Sequence, residues 1–105
     1  MPESHSISPN EKAKIDSLEQ QLHCEIWRSF SHESFDELPD LELTVTGLSC
    51  AADSMGYMAE YISRAYLPYV DYKGKYRSMI VNMEPGGEGR LAVGSKQVFR
   101  FRLDK

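Results

Sequence analysis

Residues that bind metals or carry redox chemistry are scarce in this chain. Among 105 residues there are two cysteines, Cys24 and Cys50, and three histidines. Two cysteines make no disulfide framework and suit a reducing compartment. His23, Cys24 and His32 are the only residues to consider as metal ligands. The adjacent pair would point to different helix faces, and no fourth ligand stands at a zinc-site spacing. Neither a metal nor a cofactor is expected. Long apolar runs are missing too: none approaches the ~18 residues of a membrane-spanning helix. Met1–Ser8 is polar, without the apolar stretch of a signal peptide. These absences point to an intracellular location, cytoplasmic or at the nucleus or nucleoid, with no membrane partner. Catalytic signatures are equally thin. No Cys–His pair has a third group to orient it. Gly86-Gly87-Glu88-Gly89-Arg90 lacks the Lys-Ser/Thr of a phosphate loop and precedes no helix, so it reads as a hairpin tip. The expectation is a protein that is not an enzyme.

What the chain does have is ordinary globular composition, 41% hydrophobic and 27% charged, in a length that fits one domain with a single two-layer core. Its charge is unevenly spread. Residues 1–70 carry four Lys and Arg against twelve Asp and Glu, a net of −8, whereas residues 71–105 carry eight against four, a net of +4. An acidic front and a basic tail can put opposite potentials on different faces of one domain.

Leu41–Pro68 organises the rest. Leu41, Leu43 and Val45 alternate with Glu42, Thr44 and Thr46 at the two-residue period of a half-buried strand. Gly47 permits a turn that a Cβ resists, and Ser49 is placed to cap a following helix. Met55, Met58, Ala59, Ile62 and Tyr66 give that helix one apolar face, and Pro68 ends it near Leu67. Tyr57 and Tyr61 share an offset face that calls for a dimer or partner contact. Upstream, Ser8-Pro9-Asn10-Glu11 reads as a capping box. Ile15, Leu18, Leu22, Ile26 and Phe30 extend a helical stripe from it to about Ser31, on the order of 33 Å. Trp27 flanks the stripe as a core or interface anchor. Residues 1–7 hold a short edge strand or are disordered. Downstream, Tyr76–Met83 and Lys96–Leu103 read as strands flanking a glycine-rich loop, which makes a long hairpin. The order is helix, strand, helix, strand, strand, with helices on one side of the sheet: a two-layer α+β domain.

The segment LELTVTGLSCAADSMGYMAEYISRAYLP at Leu41–Pro68, followed by a strand, a glycine-bearing loop and the terminal VFRFRLDK, resembles the Alba family of nucleic-acid-binding proteins. The resemblance covers the 65 residues from Leu41 onward. It implies a βαβαββ fold that dimerises and lays its long hairpin against DNA or RNA. Gly47 stands where the family turns into its second helix, and Arg90 and Lys96 fall in or beside the hairpin loop. MPESHSISPNE replaces the family's first strand and the lysine pair after it, with Lys12 and Lys14 one turn inside the helix.

The residues themselves give the same candidates. Lys73, Lys75, Arg77, Arg90, Lys96, Arg100 and Arg102 can neutralise phosphates, and the interleaved Tyr69, Tyr72 and Tyr76 offer ring faces to unpaired bases. Strand-face arginines also serve simply to keep an edge strand from aggregating. Two functional readings follow. One is a non-enzymatic RNA- or DNA-binding homodimer working through a basic hairpin. The other is a protein-interaction or inhibitor module whose acidic first helix and His32–Asp40 connector engage a basic protein partner.

Overall fold

A helix followed by an antiparallel hairpin occurs twice along the chain. The computed structural model describes residues 7–30, 38–85 and 96–103. The elements are α1 (Pro9–Leu22), β1 (Glu25–Phe30), β2 (Asp40–Leu48), α2 (Met55–Tyr66), β3 (Ser78–Pro85) and β4 (Gln97–Arg102). The strands form one mixed sheet in the order β1-β2-β3-β4. β1–β2 and β3–β4 are antiparallel, while β2 and β3 run parallel and are joined through α2, the crossover a parallel pair requires. The α+β class is as expected, and the order αββαββ contains one strand more than the expected helix, strand, helix, strand, strand.

That strand is β1, and it corrects the first helix. α1 begins as the capping box dictates: the Glu11 N–H donates to Ser8 Oγ at 3.2 Å, and the Ser8 hydroxyl donates to Glu11 Oε2 at 3.4 Å. It stops after 14 residues, about 21 Å rather than 33 Å. His23 turns into the left-handed region (φ 57°, ψ 55°), and the Cys24 N–H bonds back to the Glu19 carbonyl at 3.3 Å. Ile26, Trp27 and Phe30 are weak helix formers that favour extended chain, and Glu25–Phe30 pairs with Leu41–Thr46. The helical stripe misleads because Ile26 is buried in either conformation. Trp27 is not a core residue; it is 63% exposed.

The core lies on one sheet face. Leu41, Leu43 and Val45 of β2 sit beside Met79, Val81 and Met83 of β3. Ala59, Ile62 and Tyr66 of α2 and Ile15 and Leu18 of α1 close over them, so both helices cover the same face. Phe99 and Phe101 of β4 point toward this core, with Val98, Arg100 and Arg102 on the opposite face, as their alternation predicts.

Two local expectations change. Gly47 does need its glycine, at φ +84°, but it lies within β2, where the register against β3 shifts between Thr46 and Leu48. Ser49 is exposed and caps nothing; a 3-10 turn, Ala52–Ser54, leads into α2 instead. The end of α2 is as expected, at Tyr66 with Leu67 as its C-cap, and Pro68 falls in a second 3-10 turn, Leu67–Tyr69. As for a strand at residues 1–7, Ile7 is exposed and outside any strand, and residues 1–6 lie outside those described.

Candidate nucleic-acid interface

Residues far apart in sequence meet where β2 and β3 begin and β4 ends. The Arg77 N–H donates to the Pro39 carbonyl and the Leu103 N–H to the Arg77 carbonyl, both at 2.9 Å, which ties the three strand ends together. Asp40, 4% exposed, lies at their centre. Arg77 grips it with a two-pronged contact, Nε to Oδ1 at 3.3 Å and Nη2 to Oδ2 at 3.0 Å. Planar guanidinium and carboxylate groups match in this arrangement. Arg100 Nη1 reaches the same Oδ1 at 3.5 Å and Ser78 Oγ at 3.4 Å. Arg102 is exposed beside Ser78, its cross-strand partner. The turn that leads into Arg77 adds exposed Lys73 and Lys75, with Lys75 Nζ 3.0 Å from Asp71. Arg77 and Arg100 thus share Asp40, Arg102 stands opposite Ser78, and Lys75 pairs with Asp71 in the turn that leads into Arg77 and also holds exposed Lys73.

The other candidates lie elsewhere. Lys12 is exposed on α1 and paired with Asp16 at 3.1 Å. Lys14 lies over the Tyr69 ring, 5.5 Å from its centroid. Lys96 is exposed just before β4, at the opposite end of the hairpin from the corner. Arg90 lies outside the described residues. Of the three tyrosines offered for stacking, Tyr76 is buried and unsuited to it, Tyr72 is half-buried and Tyr69 exposed. Tyr57 and Tyr61 are exposed on α2, and the Tyr61 hydroxyl accepts a bond from Gln21 at 2.7 Å.

Sequence reasoning missed a polar network inside the core. Glu11 of α1 and Arg28 of β1 form a buried ion pair at 3.3 Å, each side chain 8% exposed. The Tyr66 hydroxyl donates to Glu11 Oε1 at 2.8 Å and accepts from Arg28 Nε at 3.2 Å, and Arg28 Nη2 donates to the Tyr76 hydroxyl at 3.3 Å. Burial weighs against charge on Arg28, but the Tyr66, Glu11 and Tyr76 oxygens outweigh it and hold the guanidinium pKa above its ordinary value. Burial, then the Glu11 carboxylate, pushes the Tyr66 phenol well above its usual range. Four elements or connections are pinned by this cluster: α1, β1, α2 and the approach to β3. Its only signal in the sequence was an arginine among apolar residues at 26–30.

A groove of about 630 Å³ runs between α1 and the free edge of β1, lined in part by Asp16, Glu19, Glu25 and Ile26. Glu19 Oε2 accepts the Ile26 N–H at 2.9 Å, so a side chain occupies the place where a neighbouring strand would bond. Cys24 lies in the same groove; burial and the Glu19 charge raise its thiol pKa, and burial raises that of Cys50. Both thiols are therefore weak nucleophiles at neutral pH. Among the described residues no cluster of His, Cys, Asp and Glu could hold a metal, and no helix is long and apolar enough to cross a membrane.

Fold and site together define a small α+β protein with a mixed four-stranded sheet, helices on one face and two arginines joined on one buried carboxylate. The chain matches no family model, no curated protein and no solved structure.

Proposed function

We propose that this protein is a non-enzymatic, Alba-like nucleic-acid-binding protein that engages RNA or DNA as a homodimer. The observation that carries the reading is the meeting of Arg77 and Arg100 on Asp40, from positions 23 residues apart, with Arg102 opposite Ser78 beside them and Lys73 and Lys75 in the turn that leads into Arg77. Asp40 holds Arg77 and Arg100 in place without neutralising the group, so the phosphate contacts are preorganised. Contact moves from the hairpin tip, where the resemblance puts it, toward the base of the hairpin.

Fluorescence anisotropy with labelled single- and double-stranded RNA and DNA probes tests the reading. Binding is expected to weaken as salt rises, with a log–log slope of about −0.7 to −0.9 per phosphate contacted. Lys73→Glu with Arg102→Glu is expected to lower both the affinity and the slope. Binding unchanged by both salt and the double reversal would remove the electrostatic mechanism.

The groove beside β1 favours a second reading. Its lining holds Asp16, Glu19 and Glu25 against Lys12 and Arg28; with Lys12 paired to Asp16 and Arg28 to Glu11, Glu19 and Glu25 are the carboxylates offered to a basic, extended segment of a protein partner. A stoichiometric protein retained after nuclease treatment would support this module, and nucleic acid recovered only from untreated samples would count against it.

A further inference from the structure

The sheet face away from the helices has its own chemistry, which the first reading uses only along β4, at Arg100 and Arg102. Strand registers set it out in rows. Trp27, Thr44, Asn82 and Val98 form one row across all four strands; Ser29, Glu42, Ile80 and Arg100 form the next. The first row has a large apolar side chain at each end, Trp27 at 63% and Val98 at 56% exposure. Between them the surface is flat and polar, with Asn82 Nδ2 donating to Glu42 Oε1 and Thr44 Oγ1, both at 3.3 Å. Charge runs across the strands. Glu25 and Glu42 stand on the β1–β2 side, Glu84 on β3 opposite Thr46, and Arg100 and Arg102 on β4. Continuing the β4 alternation by one residue adds Lys96 to the basic edge.

We infer that this open sheet face binds a second copy of the chain, face to face, about a two-fold axis parallel to the strands. Such an axis leaves every row opposite itself and lays β4 of one copy over β1 of the other. Trp27 then meets Val98 of the second copy, and the contact occurs twice. Arg100 comes within reach of Glu42 and Lys96 of Glu25, again in both directions. Stacked sheets pack ~10 Å apart, a gap that one layer of side chains from each face fills. A polyanion drawn to the β4 edge would be repelled by β1, and a basic peptide would meet the reverse. A two-fold copy presents opposite charge at both edges, because an isologous contact pairs each patch with its complement. The inference names the surface for the self-association in the proposed function and rests on that reading only there; the face's own charge pattern carries it. The axis also sets both basic corners at one end of the dimer, where Lys73, Lys75, Arg77 and Arg102 remain for a polyanion while Arg100 and Lys96 face the second copy.

Trp27 is the single tryptophan; it also lines the groove beside β1, so the purified chain is used, with no peptide present to enter that groove. Sedimentation equilibrium and emission spectra are measured over a micromolar to submillimolar dilution series. The expected result is a mass that doubles in step with a blue shift of Trp27. Val98→Asp is expected to weaken the dimer by about tenfold or more while circular dichroism stays unchanged. Glu25→Lys should weaken it too, and adding Lys96→Glu should restore most of the loss. A chain that is monomeric throughout overturns the inference, as does a dimer with solvent-exposed Trp27 emission that ignores Val98→Asp. Anisotropy with RNA and DNA probes on the same samples separates the two ideas. Binding by a persistent monomer would defeat the dimer face and the homodimer of the proposed function but leave nucleic-acid binding standing, and a dimer that binds no probe would defeat only the nucleic-acid reading.

Discussion

Arg28 is the residue on which the packing depends most. Its partner Glu11, together with Tyr66 and Tyr76, surrounds a charge that water barely reaches. Removing one member of a buried pair strands the other, a loss of about 3–5 kcal/mol. Arg28→Ala is therefore expected to destabilise by that amount in urea unfolding, and Glu11→Leu with Arg28→Met by clearly less. Tyr66 adds a pH dependence. Its pKa is raised in the folded protein, so its contribution is complete below the ordinary phenol value of about 10 and is lost as pH climbs through the folded value. The urea midpoint is expected to fall above about pH 10, and Tyr66→Phe to flatten that fall. Little of this network was legible. Glu11 was identifiable as a cap, which it is, but its second role depends on a tyrosine 55 positions away. Arg28 could not be placed while its segment read as helix.

At the scale of elements, the segments with one dominant period were the readable ones. β2, α2 and the hairpin from Ser78 to Arg102 match their patterns within a few residues. The boundary between α1 and β1 was hidden because no glycine or proline marks it; His23 takes the left-handed position instead. L-residues cost about 1–2 kcal/mol there, so His23→Gly is expected to raise stability by about 0.5–1 kcal/mol once the glycine's greater unfolded-state freedom is subtracted. Gly47→Ala should do the opposite, costing about 1–2 kcal/mol by thermal or urea unfolding. Space is not the obstacle, since a Cβ there would come no closer than 4.0 Å to Cys24 Cα; the φ of +84° is. The basic corner was half legible. Its residues could be named from the sequence, yet their meeting point depends on β3 and β4 pairing and on Asp40, which read only as the end of an acidic connector.

Across the whole molecule, the acidic front and basic tail of the sequence become a gradient over one sheet. Its basic end is held by a carboxylate of the acidic half, Asp40. The sheet also contains a joint of a different kind from the rest. β1–β2 and β3–β4 can each zip up from neighbouring chain, but Asp40 and Ser78 are 38 positions apart when they pair, and the chain between them must close before that pairing returns anything. The parallel seam is thus the late step of assembly: Leu43→Ala and Val81→Ala, on either side of it, should mainly speed unfolding and leave the folding rate nearly untouched. Two preformed halves that wait for each other can also find the wrong partner, so crowded refolding should yield exchanged dimers in which one molecule's first hairpin completes another's second.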